Sequence, residues 1–283
     1  MKRGGNTQAK MNNGHNGCSK TLKRELTLGL GLISKKVTGI MLCSCIVTSS
    51  LAHQAVNDST STDDHSCEFK ARQLIVPSAL IAIGTAGVYS EWFNSLNHDV
   101  KDGMERWRKG RYCKADDYLQ YLPVAANLGL GLTGMKARHP LRERIACTAT
   151  AYLAMGIMVN VTKYTVREKR PDSGTRNSFP SGHTATAFTG AELVRKEYGN
   201  IPGLCAYSLA TGVAVMRLYN NRHWLNDVLA GAGIGILSAK IGFWLLPWEK
   251  RILGWNDSNM NIIVLPSIGA KGKQTHVDVC VTF

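Results

Sequence analysis

The chain has 283 residues, of which 34 are Lys or Arg and 20 are Asp or Glu, so its formal net charge is +14. Hydrophobic residues make up 44% of the sequence and charged residues only 19%. This composition is too apolar for a disordered chain, and it excludes collagen-like and coiled-coil architectures. The length allows one or two domains.

The N-terminal residues carry half of the net charge. Residues 1–36 contain eight basic side chains and one acid, Glu25, in a stretch rich in Gly and Asn. An apolar run at residues 37–52 follows Lys35 and Lys36 and ends in a small-x-small pattern before polar residues. This order predicts a basic arm and a cleaved secretory signal, or an uncleaved anchor, over residues 1–52. Since such a leader explains the charge, we do not expect nucleic-acid binding.

Six apolar runs follow the leader. They cover residues 74–89, 118–135, 145–162, 183–194, 201–219 and 228–246. Most approach the roughly 20 residues that a helix needs to cross the hydrocarbon of a bilayer. Small residues such as Gly231, Gly233 and Gly235 would let these helices pack closely. We therefore predict an all-α, membrane-embedded bundle of about six helices over residues 53–246, and the alternative is a soluble helical domain with buried core helices.

The segments between these runs indicate how the chain is oriented in the membrane, and the segment after them indicates a change from helix to strand. Four basic side chains crowd residues 136–144, which predicts a cytoplasmic connection. Residues 90–117 mix both charges with Trp92 and Trp107, as expected of an amphipathic helix at the membrane interface. In the tail, residues 247–283, two β-branched runs flank a Gly- and Lys-rich turn and predict a small β-hairpin.

Three clusters of polar residues stand at the ends of the apolar runs. The first follows the third run, the second opens the fourth, and the third joins the fifth to the sixth. Because these clusters occupy alternate helix ends, all three should share one side of the bundle. Their members are Lys163 and Arg170, then Ser181, Gly182 and His183, then Arg217, His223 and Asp227.

The cationic members of these clusters suit phosphate. Lys163, Arg170 and Arg217 supply three positive charges, and guanidinium groups match phosphate oxygens in a bidentate manner. Ser181 and Gly182 open a helix, whose free backbone N–H groups and dipole attract anions. Gly182 would also let a ligand approach the backbone closely.

The two histidines then remain as a nucleophile and an acid. Asp227 follows His223 by four residues, a spacing that lets the carboxylate orient the imidazole and stabilise its charged form. No carboxylate cluster or His pair is spaced for a metal, so we expect a metal-free site without a cofactor. Taken singly, each of these residues could also have a purely structural role, such as helix capping or a basic residue at a helix end. Their joint occurrence favours a functional site.

These motifs resemble a known signature. Lys163-x6-Arg170-Pro171, Pro180-Ser181-Gly182-His183 and Arg217-x5-His223-x3-Asp227 are similar in order and spacing to the type 2 phosphatidic acid phosphatase (PAP2) superfamily. The resemblance implies that His223 is the nucleophile that forms a phosphohistidine, that Asp227 is hydrogen-bonded to it, and that His183 is the general acid. It further implies a phosphate site made by Lys163, Arg170, Ser181, Gly182 and Arg217.

Two departures from the family pattern, and two stretches that flank the motifs, indicate which branch of the superfamily this chain resembles. The family usually has Ser where this chain has Met216, so one phosphate hydrogen bond is missing or replaced. Only eight residues separate Pro171 from Pro180, which resembles the membrane lipid phosphatases rather than the soluble periplasmic acid phosphatases. Residues 177–179 and 221–224, with the hairpin tail, look most like the lipid A phosphatase group.

The resemblance implies a phosphorylated membrane lipid as substrate, the bilayer as partner, and a bacterial inner-membrane location with the site facing the periplasm. Lipid A is the first candidate, and phosphatidic acid, phosphatidylglycerophosphate and undecaprenyl pyrophosphate are the others. A soluble periplasmic acid phosphatase is the alternative function. Two further hypotheses are a vanadium-dependent haloperoxidase and a non-catalytic lipid-binding protein. The intact pair of His223 and Asp227 weighs against a non-catalytic protein.

Overall fold

The computed structural model describes residues 69–255 and the backbone of two strands beyond them. The arm and the signal or anchor predicted over residues 1–52 lie outside the described residues. The helices are α1 (Ile75–Tyr89), α2 (Glu91–Arg108), α3 (Ala115–Leu119), α4 (Leu122–Gly129), α5 (Leu141–Val166), α6 (Gly182–Tyr198), α7 (Asn200–Tyr219) and α8 (Leu225–Ile252).

Short 3-10 turns, Ala71–Leu74 and Leu130–Thr133, precede α1 and follow α4. The strands are β1 (Asn261–Ile268) and β2 (Thr275–Thr282), which pair antiparallel with Asn261 opposite Thr282. The fold class over residues 69–255 is all-α, as predicted, and α8 continues through Pro247 to Ile252, six residues past the predicted end of the last apolar run.

The chain runs back and forth between two ends of one helical bundle. The upper end carries residues 167–181 and 220–224, and the lower end carries residues 134–140. Helices α1, α5 and α7 run upward, whereas α6, α8 and the α3–α4 segment run downward. The direction of α3–α4 follows from its contacts, since Asp116 binds Arg217 near the top and the Asn127 carbonyl accepts from Arg144 near the bottom. The described chain therefore crosses the bundle with three upward and three downward segments.

Four of these helical segments are long and apolar enough to span a membrane: Ala71–Tyr89, Leu141–Val166, Asn200–Tyr219 and Leu225–Ile252. The expectation of six such runs is corrected at two places. Residues 118–135 are divided among short helices, because Pro123 lies in the first turn of α4 and Gly134 ends the following turn with a φ of +85°. Helix α6 has only 17 residues and carries charged side chains such as Glu192 and Arg195.

Helix α6 is the centre of the bundle, and α8 packs directly against it. A Cβ atom added at Gly231 would lie 2.6 Å from the Ser181 carbonyl oxygen, and one at Gly235 would lie 2.5 Å from that of Ala185. Gly233 points to the other side, where a Cβ atom would lie 2.7 Å from the Pro77 oxygen of α1. The alternate glycines thus let α8 contact two helices at once, as their small size predicts.

Helix α2 lies against the upper end of the bundle. Ser90 caps it by accepting the Phe93 N–H, and Phe93, Asn97 and Val100 are its buried residues. Their spacing places them on one face of the helix. Trp92 and Trp107 lie on its exposed surface, where 73% and 65% of their areas remain accessible.

Candidate active site

The structure brings the three polar clusters together at the upper end of the bundle. The Ser181 N–H donates to the Asp227 carbonyl over 3.0 Å, which ties the start of α6 to the start of α8. The Lys163 ammonium donates to the Asn177 carbonyl over 2.6 Å, which ties the end of α5 to the loop before α6. Residues that are far apart in the sequence therefore surround one space.

His223 lies in the loop between α7 and α8 and is almost completely buried. Its Nδ1 atom is 3.3 Å from Oδ2 of Asp227. The same carboxylate oxygen accepts the Trp224 backbone N–H over 2.8 Å, so Asp227 caps the start of α8 while it faces the imidazole. A hydrogen bond from Nδ1 fixes the tautomer and leaves the free lone pair on Nε2.

The surroundings of His223 favour the neutral ring. Burial holds its pKa well below the ordinary value, and the positive charges of Arg217, Arg170, Lys163 and His183 lower it further. These charges act on His223 because all four side chains lie around it. A neutral imidazole keeps the lone pair that an attack on phosphorus requires.

His183, in the first turn of α6, is held by a carboxylate from another element. Its Nε2 atom lies 3.0 Å from Oδ1 of Asp117 in α3. Burial and the charge of Arg217 lower the pKa of His183 below its ordinary value, although the hydrogen bond and charge of Asp117 oppose this shift. Asp117 therefore helps His183 to keep the proton that a general acid must give.

Arg217, near the end of α7, is buried and anchored by two carboxylates. Its Nη1 atom donates to Asp116 over 2.6 Å and approaches Asp117 at 3.4 Å. Asn220 holds Asp116 from the other side over 3.2 Å. The Nε atom of Arg217 is buried without a hydrogen-bond partner among the described residues. One edge of the guanidinium is thus fixed by protein, and the Nε donor can serve a phosphate oxygen.

The cations of the first cluster are organised by Asn177. Lys163 donates to its carbonyl, and the Nε atom of Arg170 donates to its side-chain oxygen over 2.8 Å. The Arg170 backbone N–H also donates to the Thr175 carbonyl over 2.9 Å, which closes the loop on itself. One asparagine therefore sets the positions of two positive charges.

The second cluster departs from expectation at Ser181. Its backbone N–H is occupied by the Asp227 carbonyl, and its fully buried hydroxyl accepts from Thr184 over 3.0 Å. The prediction of a free N–H at Ser181 is therefore wrong, because the start of α6 is tied to α8. Gly182 and His183 provide the first N–H groups of α6, which helix geometry leaves without an intrahelical partner. A Cβ atom at Gly182 would meet only Val159, at 3.9 Å, so the space above this glycine is open.

Sequence reasoning missed several residues that hold the site together. Asp116 binds Arg217, which is 101 residues away, and Asp117 binds His183, which is 66 residues away, and no spacing rule links either pair. Ser178 donates its hydroxyl to Asp227. The available signal was the presence of two adjacent acids at the head of an apolar run in a chain with few acids. Within residues 69–255, no group of three His, Cys, Asp or Glu side chains is placed to hold a metal ion.

The sequence model of the PAP2 superfamily matches residues 144–251, which include all three clusters. Over this segment, which is less than half of the chain, the sequence is similar to the PAP2 superfamily. The matched segment begins within α5 and ends within α8. It thus contains α6 and α7 completely, whereas Asp116 and Asp117, which complete the site, come from outside the matched segment.

Two curated proteins resemble parts of this chain. It is 39% identical over 138 residues to the lipid A 1-phosphatase of Porphyromonas gingivalis, a match that covers 47% of this chain and 31% of that protein. It is 38% identical over 71 residues to the bacitracin transport permease protein BcrC of Bacillus licheniformis, covering 25% and 34% respectively. The chain therefore spans about a third of the length of each of these relatives.

Two solved structures also match. The structure of Aquifex aeolicus LpxE aligns with a TM-score of 0.39 at 23% identity and covers 49% of this chain and 91% of that one. A PAP2-type phosphatidylglycerolphosphate phosphatase of Bacillus subtilis aligns with a TM-score of 0.35 at 21% identity and covers 65% and 89%.

Proposed function

We propose that this protein is a metal-independent membrane phosphatase that removes a phosphate from a lipid through a phosphohistidine on His223. The observation that carries the proposal is the buried imidazole of His223, oriented by Asp227 and surrounded by Lys163, Arg170 and Arg217. Fixed cations of this kind stabilise the charge on a transferring phosphoryl group, which is where catalysis of phosphoryl transfer chiefly arises.

In the first step, the Nε2 lone pair of His223 attacks phosphorus, and the bond from phosphorus to the lipid oxygen breaks. The electron pair of that bond leaves with the oxygen, which takes a proton from His183. Asp227 stabilises the positive charge that His223 gains. The oxygens of the phosphoryl group are bound by Lys163, Arg170 and Arg217, with the N–H groups of Gly182 and His183 at the positive end of α6.

In the second step, water attacks the phosphohistidine and releases inorganic phosphate. His183, now neutral, accepts a proton from the water as the new oxygen–phosphorus bond forms. The bond between phosphorus and His223 breaks, and its electron pair returns to the ring. The enzyme is thereby restored with His183 protonated and His223 neutral, and one water molecule has been consumed.

A membrane lipid as substrate is supported by the surface of α5. Leu153, Ile157 and Val161 lie one helical turn apart, and 66%, 55% and 60% of their areas are exposed. A long apolar stripe facing outward is typical of a helix in contact with lipid. The named activity of the 39% identical relative makes lipid A the first candidate lipid. A soluble acid phosphatase would not need this exposed surface.

A site that faces the periplasm is supported by the position of the basic connection. Arg138 donates its backbone N–H to the Glu197 carbonyl, and Lys250 pairs with Glu143 at 3.3 Å, so this connection lies at the lower end of the bundle. The candidate site lies at the upper end. If the basic lower end faces the cytoplasm, the site faces the opposite side of the inner membrane.

The test compares lipid A and phospholipid mass profiles of cells with the gene, without it, and with His223→Ala in its place. The proposal expects one phosphate more on a single lipid class in the deletion strain and in the His223→Ala strain. Identical profiles in all three strains would overturn it. Full activity of the purified protein in the aqueous fraction without detergent would instead favour the soluble acid phosphatase.

A further inference from the structure

The carboxylate of Asp227 is satisfied at only one of its two oxygens. Oδ2 accepts from the Ser178 hydroxyl and the Trp224 N–H, and it faces His223. Oδ1 is buried and has no hydrogen-bond donor among the described residues. A buried carboxylate oxygen without a donor is destabilising, so a neighbouring group that could donate a proton to it would stabilise this arrangement.

Glu168 is that neighbour. It lies in the loop after α5, and its backbone carbonyl accepts the Ser178 N–H over 3.0 Å. Both of its carboxyl oxygens lie near Nδ2 of Asn226, at 3.2 and 3.1 Å. Asn226 and Asp227 are consecutive in the first turn of α8. Glu168 is therefore held where it meets the residue that orients His223.

The orientation of Asn226 is fixed from its other side. Its Oδ1 atom accepts from Nδ2 of Asn97 in α2 over 2.9 Å, and both amides are buried. Because the oxygen of Asn226 faces Asn97, its NH2 group must face Glu168. This chain of hydrogen bonds leaves the carboxyl group of Glu168 little freedom to turn away from Asp227.

Two carboxyl groups placed side by side in a partly buried position do not both ionise readily. Burial, the charge of Asp227 and the hydrogen bond with Asp227 together raise the pKa of Glu168 to about 8. The charged group that faces Glu168 from α8 is Asp227. From α2, the neutral Asn97 acts on Glu168 through its hydrogen bond to Asn226. Lys163 and Arg170 act on Asp227 and His223.

We infer that Glu168 is a positioning residue that holds a proton shared with Oδ1 of Asp227. The O–H of Glu168 satisfies this buried oxygen, so that Asp227 keeps Oδ2 directed at Nδ1 of His223. The pair then carries one negative charge instead of two. This assignment rests on the proposed phosphatase activity and gives a role to a residue between Lys163 and Arg170 that the motif itself leaves unassigned.

The loss of this proton has a definite consequence for the site. At alkaline pH, a second negative charge appears beside Asp227, and the donor to Oδ1 is lost. The orientation of Asp227 weakens, and an anionic substrate is repelled. Activity should therefore fall as the pH rises through the pKa of Glu168, apart from any effect of other groups such as Lys163.

The first measurement is the pH profile of kcat/KM for p-nitrophenyl phosphate in detergent micelles. This leaving group needs little protonation, so His183 contributes little to the profile. Glu168→Gln keeps a donor and cannot ionise, so we expect it to retain activity near neutral pH and to lose the alkaline fall. Glu168→Ala has no donor and should lose at least tenfold in kcat. Glu91→Gln, an exposed residue of α2, is the matched control and should keep the wild-type profile.

The second measurement does not depend on turnover. Infrared difference spectra of the detergent-solubilised protein, recorded between neutral and alkaline pH, should show the C=O band of a protonated carboxyl group. We expect this band in the wild type and in Glu91→Gln and its loss in Glu168→Gln. Size-exclusion profiles and melting temperatures of the variants show whether each protein has folded.

The outcomes separate this inference from the proposed function. A wild-type protein without phosphatase activity overturns the function, whereas the infrared band still tests the shared proton. If the wild type is active but Glu168→Gln keeps its alkaline fall and the band, the inference is wrong. It is also wrong if Glu168→Gln, although folded, is as inactive near neutral pH as Glu168→Ala, since the negative charge of Glu168 is then what the site needs.

Discussion

Oδ2 of Asp227 faces Nδ1 of His223 at 3.3 Å and accepts the Trp224 backbone N–H at 2.8 Å. One oxygen thus links the position of the imidazole to the first turn of α8. A carboxylate in this place selects the tautomer of the histidine and stabilises the charge that the ring gains in the transition state.

Asp227→Asn should therefore lower kcat far more than it raises KM. The amide cannot stabilise the positive ring, and a loss of about 10³- to 10⁴-fold in kcat is expected by analogy with triad aspartates. Steady-state kinetics with p-nitrophenyl phosphate measure the effect. Asp102→Asn on the exposed surface of α2 is the control. A variant that keeps more than a tenth of the wild-type kcat would show that Asp227 serves mainly as a helix cap.

His183→Ala should affect poor leaving groups more than good ones. General acid catalysis contributes roughly 10²- to 10⁴-fold when the leaving oxygen needs a proton. We expect a loss in this range for phenyl phosphate and a much smaller loss for p-nitrophenyl phosphate, measured as kcat/KM. Equal losses for the two substrates would contradict the acid role and leave His183 as a phosphate-binding group.

Asp117→Asn should shift the pH dependence of the reaction. Because Asp117 raises the pKa of His183 against the lowering effects of burial and Arg217, its removal moves that pKa down. In the proposed mechanism the acid form of His183 is the active one, so the fall in kcat/KM with rising pH should begin at a lower pH. Phenyl phosphate is the substrate to use, because its leaving oxygen needs a proton. The parameter to follow is kcat/KM, since it reports the pKa values of the free enzyme. A fall that stays in place or moves upward would refute the pairing with Asp117.

Gly231→Ala should damage both stability and activity. The new Cβ atom would lie 2.6 Å from the Ser181 carbonyl oxygen, so α8 must move away from the start of α6. Overpacking of this kind costs about 1–3 kcal/mol. Gly212→Ala on α7 is the matched control, because its Cβ atom would meet nothing within 4 Å, and the change should stabilise the helix by up to about 1 kcal/mol. Melting temperatures in detergent and kcat values distinguish the two variants.

The linear pattern predicted where the residues of the candidate site lie, because helix ends can be recognised from composition. Lys163, Arg170, His183, Arg217 and His223 all stand where an apolar run begins or ends, and such runs alternate in direction. Their placement at one end of the bundle follows from this alternation alone. The four-residue spacing of His223 and Asp227 likewise predicts their contact, since it corresponds to about one turn of a helix.

The sequence by itself determined the all-helical class, the residue types around the candidate site and the pairing of His223 with Asp227. Each of these depends on local periodicity or on spacing within one segment. Only the tertiary structure decided that Asp116 and Asp117 hold Arg217 and His183, that the N–H of Ser181 is occupied, and that Glu168 meets Asp227. These contacts join separate segments through side-chain direction and helix packing, and the order of residues along one segment does not specify those distances.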